Sequence, residues 1–596
     1  MARVVLVTAV ALLALAGIVA CAVQRSAAFI SRSAEDGSPS APDAASAAAL
    51  NPACAPPDEV CFLPGLRGAP HVRMRSGYVT VSEPSGRKLW YLVADRETQQ
   101  PSTEAEAEVE VEAGVGKGGR KNDDQASPVV LWLTGGPGCS SLDAFIHEHG
   151  PFSFSYGPKP AAGGGAEREV VLSPNPHAWT KAATMIYVDS PAGAGMSYSN
   201  NTDDYHTNDK YTIADLMLFL EGLTERYPEL ATAPFYLSGE SYGGVYVPLL
   251  AAALLDSTKK RSGDGKPALV NLQGVVVGNP VTDDTIDGNA QLQYGAAMGF
   301  IDPDVWARIR ITCNDMFWNA SYGSDCWEAQ EDVKDDLWDL NWYDVLQPCL
   351  RGEEAFEGGA AALTEQHTSQ AQSDQRALAD RFFWPFTVRM EGHPEDDRGS
   401  SLGDGAAEAQ QGMQAEAAVR GPARALQEET ERRGGRRLWG ERLRYSAPCL
   451  EHRLSLDWLN REDVRAALHA RPTAGWEWQP CSDLIYYRLD TMALVPYYER
   501  FVREGLRVLV YSGDHDMVVP HIGTRTWLYD KADLGGREEP LRTWRMKGQV
   551  AGWTTRFKAG SRLTFATVKG AGHMVPSSKP AEMLYLLQAF LQDKDL

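Results

Sequence analysis

The chain has 596 residues, 43% of them hydrophobic, and is long enough to bury one large core or two smaller ones. Its formal net charge of -22 excludes a nucleic-acid partner and argues against an anionic membrane surface, since both need a positive face to meet phosphate.

At the start, Arg3 precedes an uncharged run of 20 residues from Val4 to Val23. With the small residues Ala20, Cys21 and Ala22 as a cleavage site, residues 1–22 read as a secretory signal. The run also has the length to span a bilayer, so an uncleaved anchor is the alternative and the only route to a membrane. Nine cysteines are present, and removal of Cys21 leaves eight, an even number suited to disulfides in an oxidising compartment. The triplets at Asn200 and Asn319 are glycosylation acceptors consistent with that route.

Residues 23–50, rich in Ala, Ser and Pro, are predicted to be a disordered tether. Residues 76–96 alternate apolar and polar positions around Pro84-Ser85-Gly86, a hairpin pattern. A charged, Gly-punctuated stretch at 102–127 is expected to be a loop insertion. Beyond it, "PVVLWLTGGPG", "TMIYVDSPAG", "PFYLSGESYGG" and "LQGVVVGNP" each run apolar into a glycine-containing turn, which suits buried parallel strands with functional loops at their C-terminal ends. "DLMLFLEGLTERY" and "VYVPLLAAALLDS" have helical spacing. This alternation predicts an α/β class, with residues 51–300 as the first part of a core. Residues 301–390, with their tryptophans, cysteines and acidic helices, are expected to form a cap subdomain, and 391–440 a low-complexity linker, either cleavable at its basic sites or a solvated loop that is never cut. Residues 441–596 resume the core through "LRVLVYSGDHD" and "LTFATVKGAGH" and end on the helix "AEMLYLLQAFLQ".

Gly239, Ser241 and Gly243 form G-x-S-x-G between a strand and a helix, the context in which small neighbours allow a strained turn to lift a nucleophilic serine above a sheet. The partners must follow as an acid and then a histidine at later strand ends. His515 lies between two acids on one turn, so His573 is the better base. Chemistry alone does not separate Asp514 from Asp516. No metal or other cofactor is expected: "HEH" at 147–149 is not H-E-x-x-H.

"LWLTGGPGCSSLDAFIHEHGPF", "YVDSPAGAGMSYSN", "GESYGGVYVPLLA", "GNPVTD", "WLNREDVRAALHA", "VLVYSGDHDMVVP" and "GAGHMVP" together resemble, in order, the motifs of the serine carboxypeptidases, especially their plant serine carboxypeptidase-like branch. The resemblance spans roughly residues 55–593. It implies an α/β-hydrolase fold, with a mixed, mostly parallel central sheet and a helical cap insertion. It also implies release of C-terminal amino acids from peptides and proteins at acidic pH, in a vacuole- or lysosome-like compartment or outside the cell. Ser241 would be the nucleophile, Asp516 the orienting acid, His573 the base, and the amides of Gly136 and Tyr242 the oxyanion hole. Glu240 and Glu148 would share a proton and, with Thr134 and Gly135, bind the substrate carboxylate, since two buried carboxyls held together cannot both ionise. The family's cysteine pattern suggests Cys139 with Cys481, Cys313 with Cys326 and Cys349 with Cys449, leaving Cys54 with Cys61 as a local pair; homodimers also occur in the family.

Thr134 departs from the asparagine usual in family peptidases and resembles an acyltransferase branch that uses glucose-ester donors. "GESYGG" lies closer to the chemistry and favours the peptidase. A non-catalytic stabilising protein is the reading from another class, disfavoured by the intact triad.

Overall fold

Fully apolar strands need cover on both faces, and the computed structural model provides it. It describes residues 56–97, 127–157, 168–318, 320–337, 340–349, 452–472, 476–557 and 562–596. The described residues from Asp58 to Leu596 form one compact unit. The N-terminal segment, the tether, all but the last residue of 102–127, and the linker 391–440 lie outside the described residues. Among the described residues no helix is long and apolar enough to cross a membrane.

The strands in chain order are β1 (Met74–Ser82), β2 (Arg87–Ala94), β3 (Val129–Leu133), β4 (Phe152–Tyr156), β5 (Val170–Pro174), β6 (Thr184–Val188), β7 (His206–Asn208), β8 (Pro234–Glu240), β9 (Asn271–Gly278), β10 (Tyr486–Arg488), β11 (Arg507–Gly513), β12 (Arg542–Met546), β13 (Gln549–Arg556) and β14 (Leu563–Val568). Ten of them form one sheet in the order β1-β2-β6-β3-β8-β9-β11-β14-β13-β12. The middle six, from β6 to β14, are parallel, and antiparallel strands complete each edge. This is the mixed, mostly parallel sheet of an α/β-hydrolase. The edge strands β12 and β13 were not anticipated from the sequence, because their alternation is broken by Gly and Arg.

Along β3, Val129, Leu131 and Leu133 point into one apolar core while Val130 and Trp132 point into the other. A period of two thus feeds two cores, one on each face of the sheet. The helix Asp209–Arg226 begins at Asn208, whose side chain accepts from the Tyr211 amide, and buries Thr212, Leu216, Phe219, Leu220 and Leu223 at helical spacing. The helix Gly243–Gly263 has no side-chain cap and rises directly from the turn that ends β8.

Candidate active site

The parallel pairing sets the ends of β8, β9, β11 and β14 side by side: Glu240 pairs with Gly278, Gly278 with Tyr511, and Gly513 with Val568. The residues that follow these four strands therefore meet at one edge. Ser241 follows β8 with φ +58, the left-handed region that costs a non-glycine residue energy and that a tight strand-to-helix turn imposes. Its amide donates to Gly278 O at 3.1 Å. A Cβ on Gly239 or Gly243 would fall 2.5 or 2.6 Å from Leu133 O, so the turn closes against β3 only because both side chains are missing.

Asp516 follows β11 and is completely buried. Its carboxylate accepts from Val518 N at 2.7 Å, Val519 N at 3.2 Å and Asn279 Nδ2 at 2.6 Å, and lies 2.8 Å from His573 Nδ1. Surrounded by donors, the carboxylate acts as acceptor, so the imidazole carries its proton on Nδ1 and presents the Nε2 lone pair. His573 Nε2 is buried and has no hydrogen-bond partner among the described residues. The His573 amide donates to Tyr343 O at 2.6 Å, and the Tyr343 ring stands edge-on to the imidazole at 5.4 Å. Asp514 is differently employed, accepting from Gly570 N at 2.7 Å. His515 lies between Asp344 and Asp514, 3.4 and 3.7 Å from their carboxylates.

Beside the serine, Leu133 pairs with Gly239, which sets residues 134–136 against the turn. A Cβ on Gly135 would lie 2.5 Å from Tyr242 N and 2.8 Å from Glu240 O. The amides of Gly136 and Tyr242 donate to no acceptor among the described residues. The loop is fixed from two directions. Cys139 and Cys481 form a disulfide, flanked by Ser140 N to Pro480 O at 2.8 Å and Ser482 N to Gly138 O at 3.0 Å. Asp189, buried and pushed up to about 6 chiefly by burial, accepts from Ser140 Oγ, Ser141 N and Met196 N at 2.7 to 2.9 Å. Cys313 and Cys326 are also bonded. Cys61 and Cys349 are disulfide-bonded too, while Cys54, Cys449 and Asn319 lie outside the described residues. Asn200 is exposed.

Glu148 caps the C-terminus of the helix Ser141–His147, and its carboxyl hydrogen-bonds that of Glu240. Both are buried, and each keeps one oxygen, Oε2, without a partner among the described residues. Burial, followed by repulsion from Glu148, pushes Glu240 well above the usual carboxyl range. Burial, followed by the field of Asp143, pushes Glu148 up as well. Two buried carboxyls that share a hydrogen bond cannot both ionise, so the pair retains a proton between them. His149 follows Glu148 in the chain and is fully buried. It is stacked on Trp179 at 4.1 Å, and burial lowers it to about 3, so it adds no charge. Thr134 Oγ1 accepts from Trp132 Nε1 at 2.8 Å, which leaves its own hydroxyl hydrogen as a donor.

The serine carboxypeptidase family matches residues 64–593. The chain belongs to that family. It is 35% identical to serine carboxypeptidase 1 of Hordeum vulgare over 540 residues, covering 90% of this chain and 93% of that one. Against serine carboxypeptidase-like 20 of Arabidopsis thaliana the identity is 33%, over 89% and 92% of the two chains. A prohormone-processing carboxypeptidase of Saccharomyces cerevisiae, 16% identical, shares the fold with a TM-score of 0.56 over 89% of this chain and 94% of its own. Family membership makes this an enzyme of the hydrolase class that acts on peptides.

Three supports of the site escaped sequence reasoning. Asn279, with φ +41, bridges Asp516 and the Gly513 amide; it lies within the quoted "GNP", but nothing local marks its partner. Asp189 stands beneath the Gly135–Cys139 loop. Asp209 binds the hydroxyls of Tyr242 and Tyr487 at 2.8 and 2.9 Å together with the amides of Asp490 and Thr491, and so joins the serine turn to residues 487–491.

Proposed function

We propose that the enzyme is a serine carboxypeptidase that works through an acyl-enzyme on Ser241 and releases C-terminal residues at acidic pH. The observation that carries this reading is the buried, hydrogen-bonded Glu148–Glu240 pair next to the serine turn: a protonated carboxyl there can donate to a substrate carboxylate, which an ester or internal peptide bond lacks. Ser241 Oγ attacks the last peptide carbonyl while His573 Nε2 takes its proton and Asp516 holds Nδ1–H. The amides of Gly136 and Tyr242 receive the oxyanion. His573 then protonates the departing amine, and water, activated by the same base, frees the acyl group. Thr134 and the backbone of Gly135 complete the carboxylate site. The disulfides support a route through the secretory pathway, to a vacuole-like compartment or outside the cell.

The test is release of free amino acid from N-blocked dipeptides between mildly acidic and neutral pH, with a glucose ester plus an alcohol acceptor in parallel. Release should favour acid and fall by about 10⁴-fold or more in Ser241→Ala. Ser241-dependent transfer to the alcohol without dipeptide hydrolysis would instead make Thr134 the informative residue and the enzyme an acyltransferase. Failure of the wild type and Ser241→Ala to differ in either reaction would leave only a non-catalytic role.

A further inference from the structure

Away from the serine, Asp143 and His147 lie four residues apart on one face of the helix Ser141–His147, and His452 reaches them from the start of the helix Arg453–Leu459. Asp143 Oδ1 is 3.2 Å from His452 Nδ1 and 3.8 Å from His147 Nε2, and one donor atom from each residue lies within 4.8 Å of the others. Tetrahedral bonds of about 2.1 Å set ligand atoms about 3.4 Å apart, so a small inward adjustment would bring all three onto one ion. We propose that Asp143, His147 and His452 form a binding site for a divalent transition-metal ion of the Zn²⁺ class.

The donor set decides the class. Two imidazoles and one carboxylate suit Zn²⁺ and its neighbours, whereas Mg²⁺ and Ca²⁺ take oxygen ligands. Three protein ligands leave a fourth position to water. His147 is 27% exposed and Asp143 21%, so an ion can enter from solvent, while His452 at 7% anchors the inner side. Ser455 Oγ donates to His452 O at 2.8 Å and lies 3.1 Å from His147 Nε2, a contact the ion would replace. The bound ion would staple two segments 309 residues apart, one of them the helix that ends on Glu148. Its ligands include no residue of the triad.

The full chain, stripped with a chelator at neutral pH where imidazole is the ligand form, would be titrated with Co²⁺ and then Zn²⁺. The expected result is one equivalent of Co²⁺ with visible ligand-field absorption, displacement by Zn²⁺, and a melting temperature raised by a few degrees at excess Zn²⁺. His147→Gln and Asp143→Asn should each weaken binding by about tenfold or more. Because His147 is partly exposed, His147→Gln is the variant expected to fold normally, with circular dichroism as the check. Absence of a saturable site in the wild type, or affinities within about twofold in both variants, would overturn the proposal.

Discussion

Glu240 is 4% exposed and Glu148 7%, and both bind a proton more tightly folded than unfolded. For carboxyls shifted upward, the stabilising contribution is complete below the unfolded value of about 4.3 and is lost as pH rises through the folded one. Melting temperature should therefore decline between mildly acidic and alkaline pH, and decline less in Glu148→Gln/Glu240→Gln; thermal scans across pH check this. Peptide hydrolysis should fail over the same rise while esterase activity on substrates lacking a terminal carboxylate persists. Glu240→Gln, whose amide donates without ionising, should extend peptidase activity to higher pH. An unmoved profile in that variant would remove the carboxyl pair from carboxylate recognition. Thr134 supplies one donor where an asparagine would supply two, so Thr134→Asn is expected to lower KM for dipeptides about fivefold, equivalent to roughly 1 kcal/mol for a hydrogen bond.

Elements hold these side chains through close backbone approach. The serine turn meets β3 at Leu133 O, where a methyl group on Gly243 would be 2.6 Å away. Since that neighbour is backbone, it cannot rotate aside. Gly243→Ala should lower stability by about 1–3 kcal/mol and reduce kcat with it, as denaturant melts and steady-state kinetics would record. The Gly135–Cys139 loop depends instead on a covalent tie. Replacing Cys139 and Cys481 together by serine should destabilise by about 2–4 kcal/mol and depress kcat more than KM, because the Gly136 amide loses its fixed position. An unchanged kcat would show that Asp189 alone suffices to hold the loop.

At the scale of the molecule, β1–β9 precede the segment 350–451 and β10–β14 follow it, yet β9 pairs with β11 at the centre of the sheet. Ser241 comes from the first part and Asp516 and His573 from the second. Cleavage at the basic sites of 391–440 should consequently leave both polypeptides folded together, with activity within about twofold of the intact chain. The product should run as one band on a non-reducing gel and two after reduction, since Cys139–Cys481 spans the cut. Activity lost in proportion to cleavage would mean that the segment contributes to the site.

The apolar runs of β3, β6, β8, β9, β11 and β14 and the glycines around Ser241 were legible because strand period and turn chemistry are local: each is written within about a dozen residues. The choice between Asp514 and Asp516 was not legible from the residues alone. Two carboxylates two positions apart differ only in what packs on them, and Asn279, Val518 and Val519 orient one while Gly570 engages the other. Asp189 and Asp209 read as ordinary acids until the fold buries them under the loops they hold. "HEH" gave no metal pattern because His147's companions are Asp143, a turn away, and His452, far along the chain. By itself the sequence determined the parallel strands of the sheet, the family and the serine turn, all of them consequences of local pattern. Which distant groups meet was decided only by the tertiary structure, because strand order and register, set by burial over the whole sheet, bring residues hundreds of positions apart within bonding distance.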